Sequence, residues 1–369
     1  MLTLLINRTI LPTHKKGMMK IMSQPRPSIF YVDVLRCLAA IAVVVIHVLG
    51  PYRFLYGEVD GGDWLAAISY NSVSRWAVPI FMMISGALLL SDTRPFDCHR
   101  YMTRRLGKVL IPFIAWTIIY AIVGGFTDVA GVFSGSGWDS SQTEKLLLES
   151  NNEPVWYHLW FFYDFIPLYF VIPFLALVLR KMNNEHVKLL LAAWGVLTIM
   201  HWLKVETPLR QNIILYSGYL IAGWYLFNRD NRPQLPYWVV AGVGCLLLNV
   251  TGSAYFSFLA GKYSSFFMGY KSLNTVIIGG MLFVLAQAYA ERIQGVLRRY
   301  ISVISKYSLG IYLVHPLLLI PVRNIDNGIY DVFGSNWIAI PVISLVTLTI
   351  ALGVTAVLAK IPVVKRVVP

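Results

Sequence analysis

The sequence predicts an all-α integral membrane protein, a bundle of about ten transmembrane helices. Of its 369 residues, 57% are hydrophobic and only 13% are charged, whereas a soluble domain carries about 25% charged residues. The apolar residues also form runs of roughly 17–25 residues, the length that crosses a bilayer as a helix. The runs lack the alternation of a transmembrane barrel, so helices are the structure that satisfies their backbone hydrogen bonds in lipid.

Ten apolar runs define the predicted helices. They lie at 30–50, 71–91, 108–127, 156–179, 187–203, 212–228, 236–252, 272–290, 307–324 and 338–359. Three parts of the chain follow from these runs: a cytoplasmic N-terminal tail at 1–28, a transmembrane domain at 29–360 and a short cytoplasmic C-terminal tail at 361–369. The fifth and sixth runs are short for a bilayer.

The Lys and Arg residues between the runs predict the orientation. Segments on the side of the N-terminal tail carry roughly threefold more of them than segments on the other side, which places both termini in the cytoplasm. The net charge of +13 comes from these flanking positions, so no nucleic-acid partner is expected. Cys37, Cys98 and Cys245 lack metal-ligand spacing, and no HExxH motif is present. We therefore expect no metal site.

The first run carries three ionisable side chains, which inside a membrane are costly and typical of functional sites. They are Asp33, Arg36 and His47. Arg36 and His47 are separated by about 20° beyond three full turns, so they share one helix face with a rise of about 16 Å. Asp33 lies one turn before Arg36 and can pair with it. A helix-end ion pair and a hydrogen-bonded structural histidine are the alternative interpretation.

Further candidates lie in later segments, each with a structural alternative. Arg75, near the outer surface, is either an interfacial cation or part of a pocket, and Gly86 allows close helix contact. A basic group lies at the cytoplasmic boundary and is either a membrane anchor or a phosphate clamp. It comprises Arg100, Arg104, Arg105 and Lys108.

Aromatic and histidine residues mark two more segments. Trp156 and Trp160 are typical of an interfacial belt, but aromatic faces also stack on sugars, and His158 lies between them. In the ninth run His315 precedes Pro316, which kinks a helix and frees a carbonyl. His315 is therefore either a partner of that disruption or a catalytic group.

Five stretches together resemble the acyltransferase-3 family of membrane proteins, which moves acyl groups from coenzyme A onto carbohydrates. They are VDVLR followed by His47, SRWAVPIFMMISGALLL, RRLGKVLIPF, HLWFFYDFIPLYFVIPF and KYSLGIYLVHPL, and they occur in family order across residues 30–325. Within the family, the second and fourth stretches are most similar to the O-acetyltransferases of enterobacterial common antigen. The resemblance implies a multi-pass protein of the bacterial inner membrane.

The resemblance also implies roles for residues of this chain. His47 matches the catalytic histidine, and Arg36 matches the arginine that ten intervening residues separate from it in the family signature. The spacing of Asp33, one turn before Arg36, suits it to orient Arg36. Arg105 and Lys108 fall on an RxxR motif near the acyl-CoA site. Lysine at the second position keeps the charge but lacks the bidentate fork of arginine.

A mechanism follows from both lines of reasoning. Acetyl-CoA is expected to bind from the cytoplasm with its phosphates near Arg104, Arg105 and Lys108. His47 accepts the proton of a sugar hydroxyl or carries the acyl group, and Arg75 stabilises the oxyanion or orients the acceptor. The acceptor, a polysaccharide or lipid-linked glycan, is expected to contact Trp156, His158, Trp160 and His315. Membrane lipids are the other expected partners.

Two alternatives stay open. The chain could be an exporter or flippase, with its membrane Arg and His residues lining a path for an anionic or lipid-linked sugar. The transferred group could instead be succinyl or a longer acyl. An anionic acyl group needs a further cation, for which Arg36, Arg75 and Arg323 are the candidates.

Overall fold

A computed structural model describes residues 29–323 and 332–368. The predicted N-terminal tail and Pro369 lie outside the described residues. The described part is helical, without a strand, and has one isolated bridge between Phe126 and Trp138. Its helices are α1 (Phe30–Val48), α2 (Gly61–Ser74), α3 (Ala77–Leu90), α4 (Cys98–Tyr101), α5 (Gly107–Gly124), α6 (Val129–Ser134), α7 (Ser140–Glu149), α8 (Trp160–Leu179), α9 (Asn184–Trp202), α10 (Asn212–Phe227), α11 (Leu235–Ala260), α12 (Leu273–Tyr289), α13 (Gly295–Lys306), α14 (Ser308–Arg323) and α15 (Asn336–Leu358).

Each of the ten predicted runs coincides with a helix, which confirms the all-α membrane class. In the described part, seven helical stretches are long and apolar enough to cross a membrane, or eight if the bent pair of α13 and α14 forms one span. α10, the sixth run, has 16 residues and is about 24 Å long, less than the roughly 30 Å hydrocarbon core of a bilayer. The number of spans is thus smaller than the ten predicted.

The second run begins ten residues earlier than the sequence pattern predicts. α2 and α3 form one apolar stretch, Gly61–Leu90, and α2 is capped by the Asp60 carboxylate, which accepts from the backbone N–H of Gly62 at 2.8 Å. Asp63 and Asn71 interrupt the apolar pattern of α2, but both are hydrogen-bonded within the bundle. Arg75 therefore lies at the junction of α2 and α3, not at the start of a helix.

Two glycines bring α3 and α10 into close contact. A Cβ atom at Gly86 would collide with the backbone of Leu220 on α10, and one at Gly223 would collide with the backbone of Met83 on α3. Small residues of this kind allow membrane helices to pack backbone against backbone. The expectation of close helix contact at Gly86 is confirmed, and the contact fixes α3 beside α1, the helix that carries the polar groups.

Gly86→Ala should destabilise the folded protein, because α3 and α10 must separate to admit the methyl group. Overpacking of this kind costs about 1–3 kcal/mol. Gly244→Ala is the matched control, since a Cβ at this position of α11 meets no atom within 4 Å. Thermal unfolding in detergent measures both variants; equal melting temperatures would contradict the close packing.

Candidate active site

The site is built around a pair of histidines from α1 and α14. His47 Nδ1 lies 2.6 Å from His315 Nε2, and the two rings meet edge to edge, with centroids 4.9 Å apart and planes 6° from parallel. His315 is fully buried, whereas His47 keeps part of its surface accessible. Two residues that the sequence separates by 268 positions therefore form one unit.

A backbone carbonyl sets the proton positions in this pair. His315 Nδ1 lies 2.9 Å from the carbonyl oxygen of Ile311, which accepts only, so Nδ1 must carry the proton. In a neutral His315, Nε2 is then an acceptor, and the bond to it must be donated by His47 Nδ1. The lone pair of a neutral His47 is thereby assigned to Nε2, the nitrogen available to a substrate.

His158 is the third histidine of this cluster, which we call the histidine cluster: His47, His158 and His315. The ring of His158 lies 6.4 Å from that of His47 and 6.1 Å from that of His315. It is fully buried, and both of its ring nitrogens lack a hydrogen-bond partner in the described part of the chain. A buried polar ring without partners is costly, so His158 is well placed to meet a polar group of a substrate.

Tyrosines enclose the histidine cluster. Tyr120 contacts the His158 ring at 4.8 Å between centroids, and its hydroxyl donates to the carbonyl of Leu313 at 2.7 Å. Tyr157 contacts His47 edge to face at 5.1 Å, and the Tyr312 hydroxyl donates to the backbone oxygen of His158. Trp156 stacks on Tyr120 at 5.1 Å, so it reaches the cluster through that ring.

Two arginines contact tyrosines in this part of the bundle. Arg323, at the end of α14, donates to the backbone oxygen of His47 at 2.6 Å and lies over the Tyr157 ring at 4.6 Å. Arg75 donates to the Tyr270 hydroxyl at 2.8 Å. Tyr270 in turn stacks on Trp160 at 5.2 Å. Arg75 and Trp160, both predicted site residues, thus share one aromatic partner.

The other polar end of α1 carries the predicted ion pair. Arg36 lies 3.8 Å from Asp33, and Asp33 also accepts a hydrogen bond from the Ser305 hydroxyl at 2.7 Å. The expected pairing of these residues is therefore confirmed. Ser305 belongs to α13, so this contact also joins α13 to α1.

A basic cleft opens beside Arg36. It has a volume of 760 Å³ and is lined by cations from the α4–α5 segment and the end of α8. They are Arg94, Arg100, Arg104, Arg105, Lys108 and Arg180. A π-helical turn, Met102–Leu106, positions Arg104 and Arg105, and such turns are frequent at functional sites. Arg105 is partly neutralised by Asp92 at 3.6 Å.

A second cavity leads from the basic cleft toward the histidines. It has a volume of 260 Å³, and Arg104, Arg105 and Lys108 line both spaces. Arg36 also lines the second cavity, together with Val43 and Tyr312. Val43 lies one helical turn before His47, and Tyr312 about one turn before His315. The cavity therefore runs along the Arg36 face of α1 and reaches residues about one helical turn from His47 and His315.

The predicted site residues thus form three groups. Asp33, Arg36, Arg104, Arg105 and Lys108 lie at the basic end, and His47, His158 and His315 lie at the centre with Trp156 behind Tyr120. Arg75 and Trp160 meet at Tyr270. Sequence reasoning missed Tyr120 and Tyr270, because tyrosine is common in membrane helices and no spacing singles these residues out. In the described part of the chain, no group of three His, Cys, Asp or Glu side chains is arranged to hold a metal ion.

The fold and this site define a multi-pass membrane protein with a basic cleft, an adjoining cavity and a histidine pair about one helical turn from residues that line this cavity. A family model described as an acyltransferase domain, that of the acyltransferase-3 family, matches residues 29–356. The chain belongs to this family. The finer assignment to the common-antigen subgroup stays a prediction.

Curated relatives carry a different description. The chain is 21% identical, over 340 residues, to the "Probable poly-beta-1,6-N-acetyl-D-glucosamine export protein" of Staphylococcus aureus strains Mu50 and MSSA476. The alignments cover 86% of this chain and 90% of each relative. No solved structure matches the chain significantly.

The histidine pair should behave as an energetically coupled unit. His47→Ala and His315→Ala should each lower stability, and the double variant should lose less than the sum of the two, with a coupling of about 1 kcal/mol. Unfolding in detergent measures the cycle. His201→Ala, which removes a histidine of α9, should add to His47→Ala without coupling. Full additivity of the His47 and His315 substitutions would contradict the bond between them.

Proposed function

We propose that this protein is an O-acyltransferase of the bacterial inner membrane, most simply an O-acetyltransferase. It takes an acyl group from cytoplasmic acyl-CoA and transfers it to a hydroxyl of a periplasmic or cell-surface polysaccharide. One observation carries the proposal: a histidine with its Nε2 lone pair available lies beyond a cavity that begins in a basic cleft. Membership of an acyltransferase family agrees with this chemistry.

The basic cleft suits the donor. Its 760 Å³ falls within the range of about 300–1,000 Å³ typical of cofactor sites. Arg104 and Lys108 supply charges for phosphate groups, and Arg104 can do so with a bidentate fork. The narrower cavity then accommodates the pantetheine arm along Arg36 and Val43. The thioester thereby approaches the level of His47 on α1, about 16 Å from Arg36 along the helix axis.

His47 supplies the base. Its Nε2 accepts the proton of the sugar hydroxyl while the hydroxyl oxygen attacks the thioester carbonyl. The carbon–sulfur bond breaks, and the CoA thiolate takes a proton back from the imidazolium. In the covalent alternative the same nitrogen attacks the thioester carbonyl and expels the CoA thiolate. The sugar hydroxyl then attacks the acyl-imidazolium, the bond from the acyl carbon to Nε2 breaks, and the hydroxyl proton goes to the thiolate. His315 is a positioning residue in both routes, because it holds His47 in the reactive tautomer.

The acceptor approaches from the opposite side of the histidine cluster. His158, with two ring nitrogens lacking protein partners, can hydrogen-bond a sugar hydroxyl beside His47. The aromatic groups formed by Trp156 with Tyr120 and by Trp160 with Tyr270 can stack on sugar rings. Arg75 lies next to the second group and orients the acceptor or stabilises the oxyanion.

Polysaccharide export is the second candidate function, favoured by the description of the curated relatives. In that case the cavities and the cation-lined ends would form a path for a glycan, without covalent change. The two functions differ in what they require of His47: acyl transfer needs its Nε2 lone pair as a base or nucleophile, whereas passage of an unmodified glycan involves no bond to it.

The test is mass spectrometry of surface and periplasmic glycans from a deletion strain carrying either the wild type or His47→Ala. The wild type should restore an acyl increment, such as acetyl, on a glycan. His47→Ala should lower it by at least about 10²-fold, the usual contribution of a general base.

Matched membrane abundance and His47→Gln, which keeps an amide donor toward His315, control for misfolding. An unchanged acylation pattern with glycan accumulating on one side of the membrane would instead support export.

A further inference from the structure

Three arginines form a group centred on Arg53, although the proposed chemistry requires at most one. They are Arg53, which follows α1, Arg75 at the α2–α3 junction and Arg323 at the end of α14. Arg53 lies within electrostatic range of Arg75 and of Arg323, and both Arg53 and Arg323 lie within that range of His47. The fold therefore concentrates positive charge at the end of α1 opposite to the basic cleft.

Among the described residues, these arginines have neutral partners only. Arg75 donates to a tyrosine hydroxyl and Arg323 to a backbone carbonyl, while Arg53 lies over the Phe54 ring at 4.6 Å. None of the ion pairs found in residues 29–323 and 332–368 includes any of the three.

The Nε atom of each arginine is buried and lacks a hydrogen-bond partner in the described residues. Like charges repel strongly where water is scarce, and a buried charge without a counter-ion is costly. These three arginines, which we call the arginine cluster, have no anionic partner among the described side chains. They are therefore suited to bind an anion from a ligand.

We propose that Arg53, Arg75 and Arg323 bind an anionic group, a carboxylate or a phosphate, on the acceptor glycan. The proposal rests on the proposed acyl transfer, since it names the class of acceptor. Guanidinium forks match both groups, and Trp160 stacked on Tyr270 places an aromatic surface next to Arg75. The ring of an acidic sugar can stack on Trp160 while its anionic group binds the arginines. A neighbouring hydroxyl of the glycan then lies toward His47. The protein thus selects acidic over neutral glycans.

A binding experiment tests this site without relying on activity. The melting temperature of the purified full chain in detergent is measured with glucuronate, glucose 1-phosphate or glucose at equal concentration. A charged sugar should stabilise the protein more than glucose, because binding to the folded state raises its stability. A rise with glucuronate identifies a carboxylate site, and a rise with glucose 1-phosphate identifies a phosphate site.

The basic cleft can also bind a phosphate. Substitution of Arg53 therefore tests whether the rise in melting temperature comes from the arginine cluster. Arg53→Gln should abolish the difference between charged and neutral sugars, and Arg53→Lys should retain part of it. Arg210→Gln, at a partly buried arginine paired with Glu206 at 3.0 Å, should respond as the wild type does. Equal responses to all three sugars, or an Arg53→Gln variant that responds as the wild type, would overturn the proposal.

Competition during acyl transfer shows which substrate the site serves. The charged sugar should inhibit transfer competitively with the glycan and leave the KM for acetyl-CoA unchanged. Competition with acyl-CoA alone would overturn the proposal, because the site would then receive the acyl group. If no transfer occurs with any donor, the proposed function fails, and the binding experiment still decides whether the anion site exists.

Discussion

The hydrogen bond between His47 and His315 is the interaction on which the rest of the account depends. A membrane interior offers few partners for an imidazole, so each ring nitrogen must be satisfied by the protein or by a substrate. The Ile311 carbonyl accepts from His315 Nδ1, so His315 Nε2 accepts from His47 Nδ1. The last nitrogen, His47 Nε2, is left for a ligand. His315, a neutral side chain, thus sets the tautomer of His47. In the Ser-His-Asp triad an aspartate carboxylate has this role.

In the proposed mechanism, the position of α1 lets one site serve two compartments. This helix packs against α2, α3, α12, α13, α14 and α15, so its polar face is surrounded by protein along its length. Arg36 lines the narrow cavity that adjoins the basic cleft, while His47 contacts Tyr157 and Arg323 at the other end. In the proposed mechanism the donor thus travels along a helix face within the bundle and avoids the lipid.

Much of the fold and part of the site could be predicted from the sequence, because the bilayer imposes a simple length rule. Every apolar run became a helix, and the Asp33–Arg36 pair followed from helical spacing alone. The rule failed where polar residues are satisfied by neighbouring helices: Asp63 and Asn71 concealed the first half of the long α2–α3 stretch. The pairing of His47 with His315 depends on how distant helices pack, and no local pattern contains that information. The same holds for the approach of Arg53 to Arg75.

Reconstitution into liposomes tests the central claim most directly. The purified protein is supplied with acetyl-CoA labelled in the acetyl group on one side of the membrane and with a glycan fraction from the deletion strain on the other. The account predicts labelled ester on the glycan and one free thiol released per ester, both lost in His47→Ala. Passage of unmodified glycan across the membrane, without label and without free thiol, would contradict it.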